Sequence, residues 1–259
     1  MPHLLILALP VPPRSLETLG ALIDARTVQT PFGLVGPLAR RHAASASVWI
    51  LPYFGTPTRT DPRATLWAAK DLGVQRILAI EGMVGLSHDL TRGDIALPID
   101  FIDWTKHQPT TFFEKTGAGY ISQKPPFCPN ISAAIRQQLP QARPVVYLGD
   151  EGPRHETAAE VRMFQQWGAH ARGFNLVPET YLAKELELCF AAIGLITAHG
   201  ADRERAYGKG EVRRATREVL DALPDIFAGL PDPPTCGCNH LQDSARQRGV
   251  LTDNWREWK

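Results

Sequence analysis

Residues 144–160 read PVVYLGDEGPRHETAAE. Pro144 to Leu148 is a short apolar, β-branched run, as in a strand. Asp150-Glu151-Gly152-Pro153 is a turn, and a helix is expected to start near His155. Over Glu156 to Trp167, Ala159, Met163, Phe164 and Trp167 fall on one helical face. A strand opening through a tight loop into a helix N-terminus is where α/β proteins bind ligands. The first N–H groups of such a helix point outward and favour negative charge.

The same logic recurs at 173–184, GFNLVPETYLAK, and another strand end lies at 195–202, LITAHGAD. Further strands are expected over 3–9, 47–53, 75–80, 94–99 and 191–197, several of them apolar on both faces. Asp61-Pro62 supplies an N-cap and a first-turn proline for a helix over 64–72, which Gly73 is placed to end. Helices are also expected over 178–188 and 202–227, and residues 231–259 read as an irregular tail. Alternation of strands and helices predicts a single α/β domain, with helices flanking a central sheet.

The 259 residues suffice for a core without staples. A hydrophobic fraction of 44% and a charged fraction of 21% exclude disorder and coiled coil as the main reading. A net charge of +1 gives no footprint for nucleic acid or anionic membrane, so the partner is a small molecule or another copy of the chain. The early apolar run from Leu4 is broken by Pro10, Pro12 and Pro13, too short for a span and unlike a leader. The sparse cysteines, Cys128, Cys189, Cys236 and Cys238, suit a reduced, cytoplasmic setting. Cys236-Gly237-Cys238-Asn239-His240 offers three soft ligands where a structural zinc needs four, so no metal is expected. Generic phosphate-loop, dinucleotide, nucleophile-elbow and zinc-protease motifs are absent.

Nine segments in register resemble the trimeric purine nucleoside phosphorylase and methylthioadenosine phosphorylase family. They include Thr30-Pro31-Phe32-Gly33, Arg92-Gly93-Asp94-Ile95, Phe101-Ile102-Asp103-Trp104-Thr105 and Pro126-Phe127-Cys128-Pro129. Glu151-Gly152-Pro153-Arg154 with Glu156-Thr157 and Ala159-Glu160 looks like E-G-P-x-F-E-T-x-A-E. Val177-Pro178-Glu179 with Leu182-Ala183-Lys184 looks like V-P-E-x-x-L-A-[KR], and Cys236/Cys238 is similar to the C-x-C tail of some members. The resemblance implies a three-layer fold around a mixed twisted sheet, a homotrimer or homohexamer, no cofactor, and cleavage of a purine nucleoside's N-glycosidic bond.

The departures lie on the phosphate side. Where the family has a glycine-rich phosphate loop, this chain has Pro10, Pro12 and Pro13, which donate no N–H. Tyr53 and Phe54 replace a charged strand end. Glu81 stands where phosphate approaches, and Asn175 replaces a phosphate-binding hydroxyl. Phosphate as co-substrate is therefore open. The resemblance places His155, Glu156, Phe174, Asn175 and Thr197 on the base and nucleoside. Glu81 and His199 are the catalytic candidates, His199 standing beside Ala198, where the family has a purine-reading Asn or Asp. Tyr120 stands where a neighbouring subunit contributes a residue. Three readings follow: a phosphorylase with a remodelled nucleophile site, a nucleosidase using water, or a non-catalytic nucleoside binder on the same scaffold.

Overall fold

The computed structural model describes residues 1–258 apart from 44–45, 53–60, 115, 117, 119 and 204–209. Tyr53 and Phe54 lie outside the described residues. Among the described residues nine strands form one sheet: β1 (His3–Ala8), β2 (Leu22–Thr30), β3 (Gly33–Ala43), β4 (Ala46–Leu51), β5 (Arg76–Gly85), β6 (Ile95–Asp103), β7 (Arg143–Gly149), β8 (Ala171–Gly173) and β9 (Cys189–His199). The α-helices described with them are α1 (Pro62–Asp71), α2 (Pro129–Gln138), α3 (Ala158–Gln166), α4 (Glu179–Glu185), α5 (Gly210–Ala228) and α6 (Asp243–Gln247).

The strand order is β2-β3-β4-β1-β5-β8-β7-β6-β9, with β9 also paired to β5. That extra pairing closes β5, β8, β7, β6 and β9 into a ring. Within the sheet β4, β1, β5 and β9 run parallel, and β6, β7 and β8 run parallel to one another. The two groups meet antiparallel at β5–β8 and β6–β9, which makes the sheet mixed. The expected α/β architecture is the one observed.

Local chemistry explains the elements. β1 and β9 are buried along most of their length, as their two-sided apolar sequences predict. Asp61 caps α1 through an Arg63 N–H bond at 2.9 Å, and Gly73 follows α1 at φ +74°. Thr157 and Glu160 form a capping box on α3, so that helix begins after Thr157 and not at Glu156. The β2–β3 hairpin was not expected. Its first strand, β2, is mostly exposed and so lacks an alternating apolar face. The turn is fixed by Thr30, whose hydroxyl donates to the Gly33 carbonyl at 2.7 Å.

Helix α5 lays Val219, Leu220, Leu223, Ile226 and Phe227 against the core, and Phe227 stacks on His3 at 5.2 Å. Burial beside Arg76 pushes His3 down to about 4. The stretch expected as an irregular tail carries α6 and short 3-10 turns, and it buries Leu251 and Trp258. Among the described residues no helix is long and apolar enough to cross a membrane.

Candidate active site

The register puts Ala8, at the end of β1, opposite Glu81 in β5, and Glu81 opposite Gly194 in β9. Glu81 is fully buried. Its Oε1 accepts the Phe174 N–H at 2.7 Å, the Asn175 N–H at 3.0 Å and the Asn175 side-chain amide at 2.7 Å. Its Oε2 is buried without a hydrogen-bond partner. Gly173 makes this approach possible, because a Cβ there would stand 2.6 Å from Oε1. Burial pushes the Glu81 carboxyl up, and the surrounding donors pull it the other way. Glu179, at the start of α4, also turns a carboxyl oxygen inward with no partner. Burial and the neighbouring Glu81 push it up to about 8.

A second cluster surrounds Arg172, which is fully buried. Its Nη1 bonds both Asp150 carboxylate oxygens at 3.0 Å, and its Nε bonds Glu156 Oε2 at 2.6 Å. The Phe174 ring covers the guanidinium at 4.7 Å. The same ring lies so close to Gly152 that a Cβ there would be 2.8 Å from it. Glu156 and Phe174, expected to hold a purine, are therefore committed to Arg172. Once buried, a guanidinium demands opposing charge, and Asp150 and Glu156 supply it.

A cleft of about 870 Å³ is walled by the chain after β1 (Leu9, Pro10, Pro12, Arg14), by Arg92 and Thr197, and by α5. Helix α5 contributes Arg213, Arg217 and Asp221. Of the residues expected to touch nucleoside, Thr197 lines this cleft; its hydroxyl bonds the Met83 carbonyl at 3.2 Å. Two residues beyond it, His199 is half-buried, and its Nε2 is buried without a hydrogen-bond partner. Burial and the Arg203 and Arg92 charges lower its pKa, so the ring is neutral at pH 7.

The remaining expectations fall as follows. Asn175 holds Glu81. His155 is exposed. Arg154 pairs with Glu160 at 2.5 Å on the protein surface. Tyr120 projects fully into solvent. Glu81, expected as a catalytic carboxylate, has no exposed surface: it is a fixed internal carboxyl, because the loop after β8 wraps its donors around it. Sequence reasoning missed Arg172, Asp150 and Tyr147. Arg172 was detectable as an arginine at the centre of an apolar β8 segment. The arginines of the cleft gave no signal, because those on α5 look like the solvated face of an amphipathic helix.

Comparison with known proteins agrees with this architecture. The family pattern described as "Phosphorylase superfamily" matches residues 4–228. The S-methyl-5'-thioadenosine phosphorylase of Pyrococcus horikoshii is 33% identical over 226 residues, 82% of this chain and 88% of the relative. A protein of Methanopyrus kandleri named "Probable S-methyl-5'-thioinosine phosphorylase" is 33% identical over 236 residues, 85% of this chain and 91% of its own length. In fold, the chain superposes on the methylthioadenosine phosphorylase of Schistosoma mansoni, solved with adenine, with a TM-score of 0.82 at 22% identity, covering 95% of this chain and 99% of that one. Sequence and fold together make this chain a member of the phosphorylase superfamily.

Proposed function

We propose that the protein cleaves the N-glycosidic bond of a purine nucleoside or a methylthioadenosine-like nucleoside, with water in place of inorganic phosphate as the acceptor. Family membership supports the bond that is cut. The observation that carries the acceptor is Glu81: its carboxyl occupies the donors of the loop after β8. A free phosphate dianion brought there would meet a carboxyl group that already takes these donors and not a set of open N–H groups. The proline-rich exit of β1 offers no replacement cradle.

In this reading the nucleoside enters the cleft beside Thr197, with Thr197 and Asn175 on the sugar side and His199 against the base. A neutral imidazole hydrogen-bonds a purine edge in either tautomer. As the bond breaks, the sugar becomes oxocarbenium-like and the base gains negative charge, which nearby donors stabilise. Glu81 acts as a positioning residue by fixing the Phe174–Asn175 loop. His155, Glu156 and Phe174 shape the adjoining wall, and Tyr120 reaches a neighbouring subunit of a homotrimer or homohexamer. The enzyme works in the cytoplasm without a cofactor.

A second reading is favoured by the cleft walls. Arg14, Arg92, Arg213 and Arg217 face it with Asp221 as the acidic residue of the lining. Such walls suit a nucleoside that carries its own anionic group, since guanidinium groups bind phosphate and carboxylate in bidentate fashion. Base release from neutral and 5′-anionic nucleosides, each with and without inorganic phosphate, separates these readings. Release from no nucleoside, with binding retained, would identify a binder.

A further inference from the structure

We propose that Cys128, Cys189, Cys236 and Cys238 form a tetrahedral site for a single zinc ion, which fastens the C-terminal segment to the core. The four Sγ atoms lie within 4.8 Å of one another, and Cys189 Sγ is 3.3 Å from Cys236 Sγ. Four thiolates around one zinc, with Zn–S bonds of about 2.3 Å, stand about 3.8 Å apart. The cluster therefore already has the dimensions of a closed four-sulfur shell. It is too tight for the thiolates to straddle a four-iron cluster. An all-thiolate tetrahedral set selects zinc among the common divalent ions and leaves no open position, so the site is structural.

Three separate parts of the fold deliver the sulfurs. Cys128 is the N-cap residue of α2, a ten-residue helix, and its N–H is held by the Phe190 carbonyl at 2.7 Å. Cys189 opens β9. Cys236 and Cys238 flank Gly237, whose φ of +71° lets the chain turn both side chains the same way. The N-terminal end of α2, positive through the helix dipole, stabilises a thiolate at Cys128.

Lys184 gives an independent argument from charge. It is 6% exposed, its Nζ bonds the Ser122 and Pro125 carbonyls at 2.9 and 2.6 Å, and it borders the same small cavity as Cys128, Cys236 and Cys238. Among the described residues no carboxylate pairs with it. A lone buried ammonium is costly. Four thiolates and one divalent cation carry a net charge of −2, which offsets it. Binding converts four thiols and Zn²⁺ into the zinc tetrathiolate and four released protons, with no change of oxidation state.

The metal would join anchors that already hold residues 231–259. Asn130 bonds the Thr235 hydroxyl at 3.0 Å, Gln242 bonds the Glu185 carbonyl at 3.1 Å, and Arg246 bonds Glu187 at 2.7 Å.

The test uses the full chain, purified under reducing conditions without chelator. Elemental analysis is expected to give about one zinc per chain. Cobalt(II) added to the metal-stripped protein is expected to saturate at about one equivalent, with the thiolate charge-transfer and tetrahedral d–d bands of an all-sulfur site. The Cys236→Ser/Cys238→Ser double variant, which swaps sulfur for oxygen at near-constant side-chain size, should lose both signals while circular dichroism keeps the fold. Wild type that carries no zinc as purified and, once stripped, develops no cobalt bands would overturn the proposal. So would a mass 4 Da below the all-thiol value, showing two disulfides, or full metal content in the double variant.

Discussion

The Asn175 side-chain amide donates to Glu81 Oε1 at 2.7 Å, and the Asn175 main-chain nitrogen donates to the same oxygen at 3.0 Å. One residue thus clamps a fully buried carboxyl with both of its donors. In the proposed reading this carboxyl occupies the place where a family phosphorylase would receive an external anion. Emptying that seat should cost stability and open it to other anions.

Glu81→Ala leaves the Phe174 and Asn175 N–H groups without their acceptor. We expect a loss of about 3–5 kcal/mol in urea unfolding, while Glu81→Gln, which keeps an oxygen acceptor, loses far less. If Glu81→Ala remains folded, calorimetry should show phosphate binding more tightly than to wild type. Equal phosphate affinity in the two proteins would show that Glu81 does not occupy an anion seat.

Arg172→Met removes a fully buried cation and leaves Asp150 and Glu156 facing each other. The expected cost is about 3–5 kcal/mol by chemical denaturation. Adding Glu156→Gln should recover part of it, because the second change removes one of the stranded charges. Additive losses would mean that the two residues are not coupled.

Burial raises Glu179 to about 8 and Glu185 to about 7. Both carboxyls hold protons in the folded state that the unfolded chain has already lost. Stability is therefore expected to fall as pH rises from the ordinary carboxylate range through 7 to 8, and to level off above. Glu179→Gln should remove its share, so its thermal midpoint should gain on wild type between pH 5 and 8. A difference that stays flat over that window would contradict the burial of Glu179. On the acid side, His3 works in the opposite sense: its lowered pKa costs stability as pH falls from the usual histidine range through about 4.

Trp104 and Trp167 form an edge-to-face pair at 4.9 Å and are both exposed, as is Tyr120. Such surface suits a subunit contact. Light scattering should give three or six times the chain mass, and a stable monomer would remove Tyr120 from the site.

The sequence made β1, β4, β5, β6, β7 and β9 legible, because apolar runs bounded by turn residues survive in any register. It made α1 legible through Asp61 and Gly73. The exposed β2 was hidden, since hairpin pairing and not an apolar face holds it. Glu81 was recognisable as the departure at the phosphate side, yet its loop donors were not, because hydrogen bonds to main-chain nitrogen leave no trace in residue identity. Cys236 and Cys238 were visible as an incomplete ligand set. Cys128 and Cys189 join them only through the docking of α2, β9 and the C-terminal segment, which linear spacing does not encode.

The most direct test is chromatographic measurement of free base released from a panel of purine and 5′-substituted nucleosides, with inorganic phosphate absent and then in excess. The account predicts release of base and free sugar from at least one nucleoside, at a rate indifferent to phosphate. Release that requires phosphate and yields a sugar 1-phosphate would contradict it.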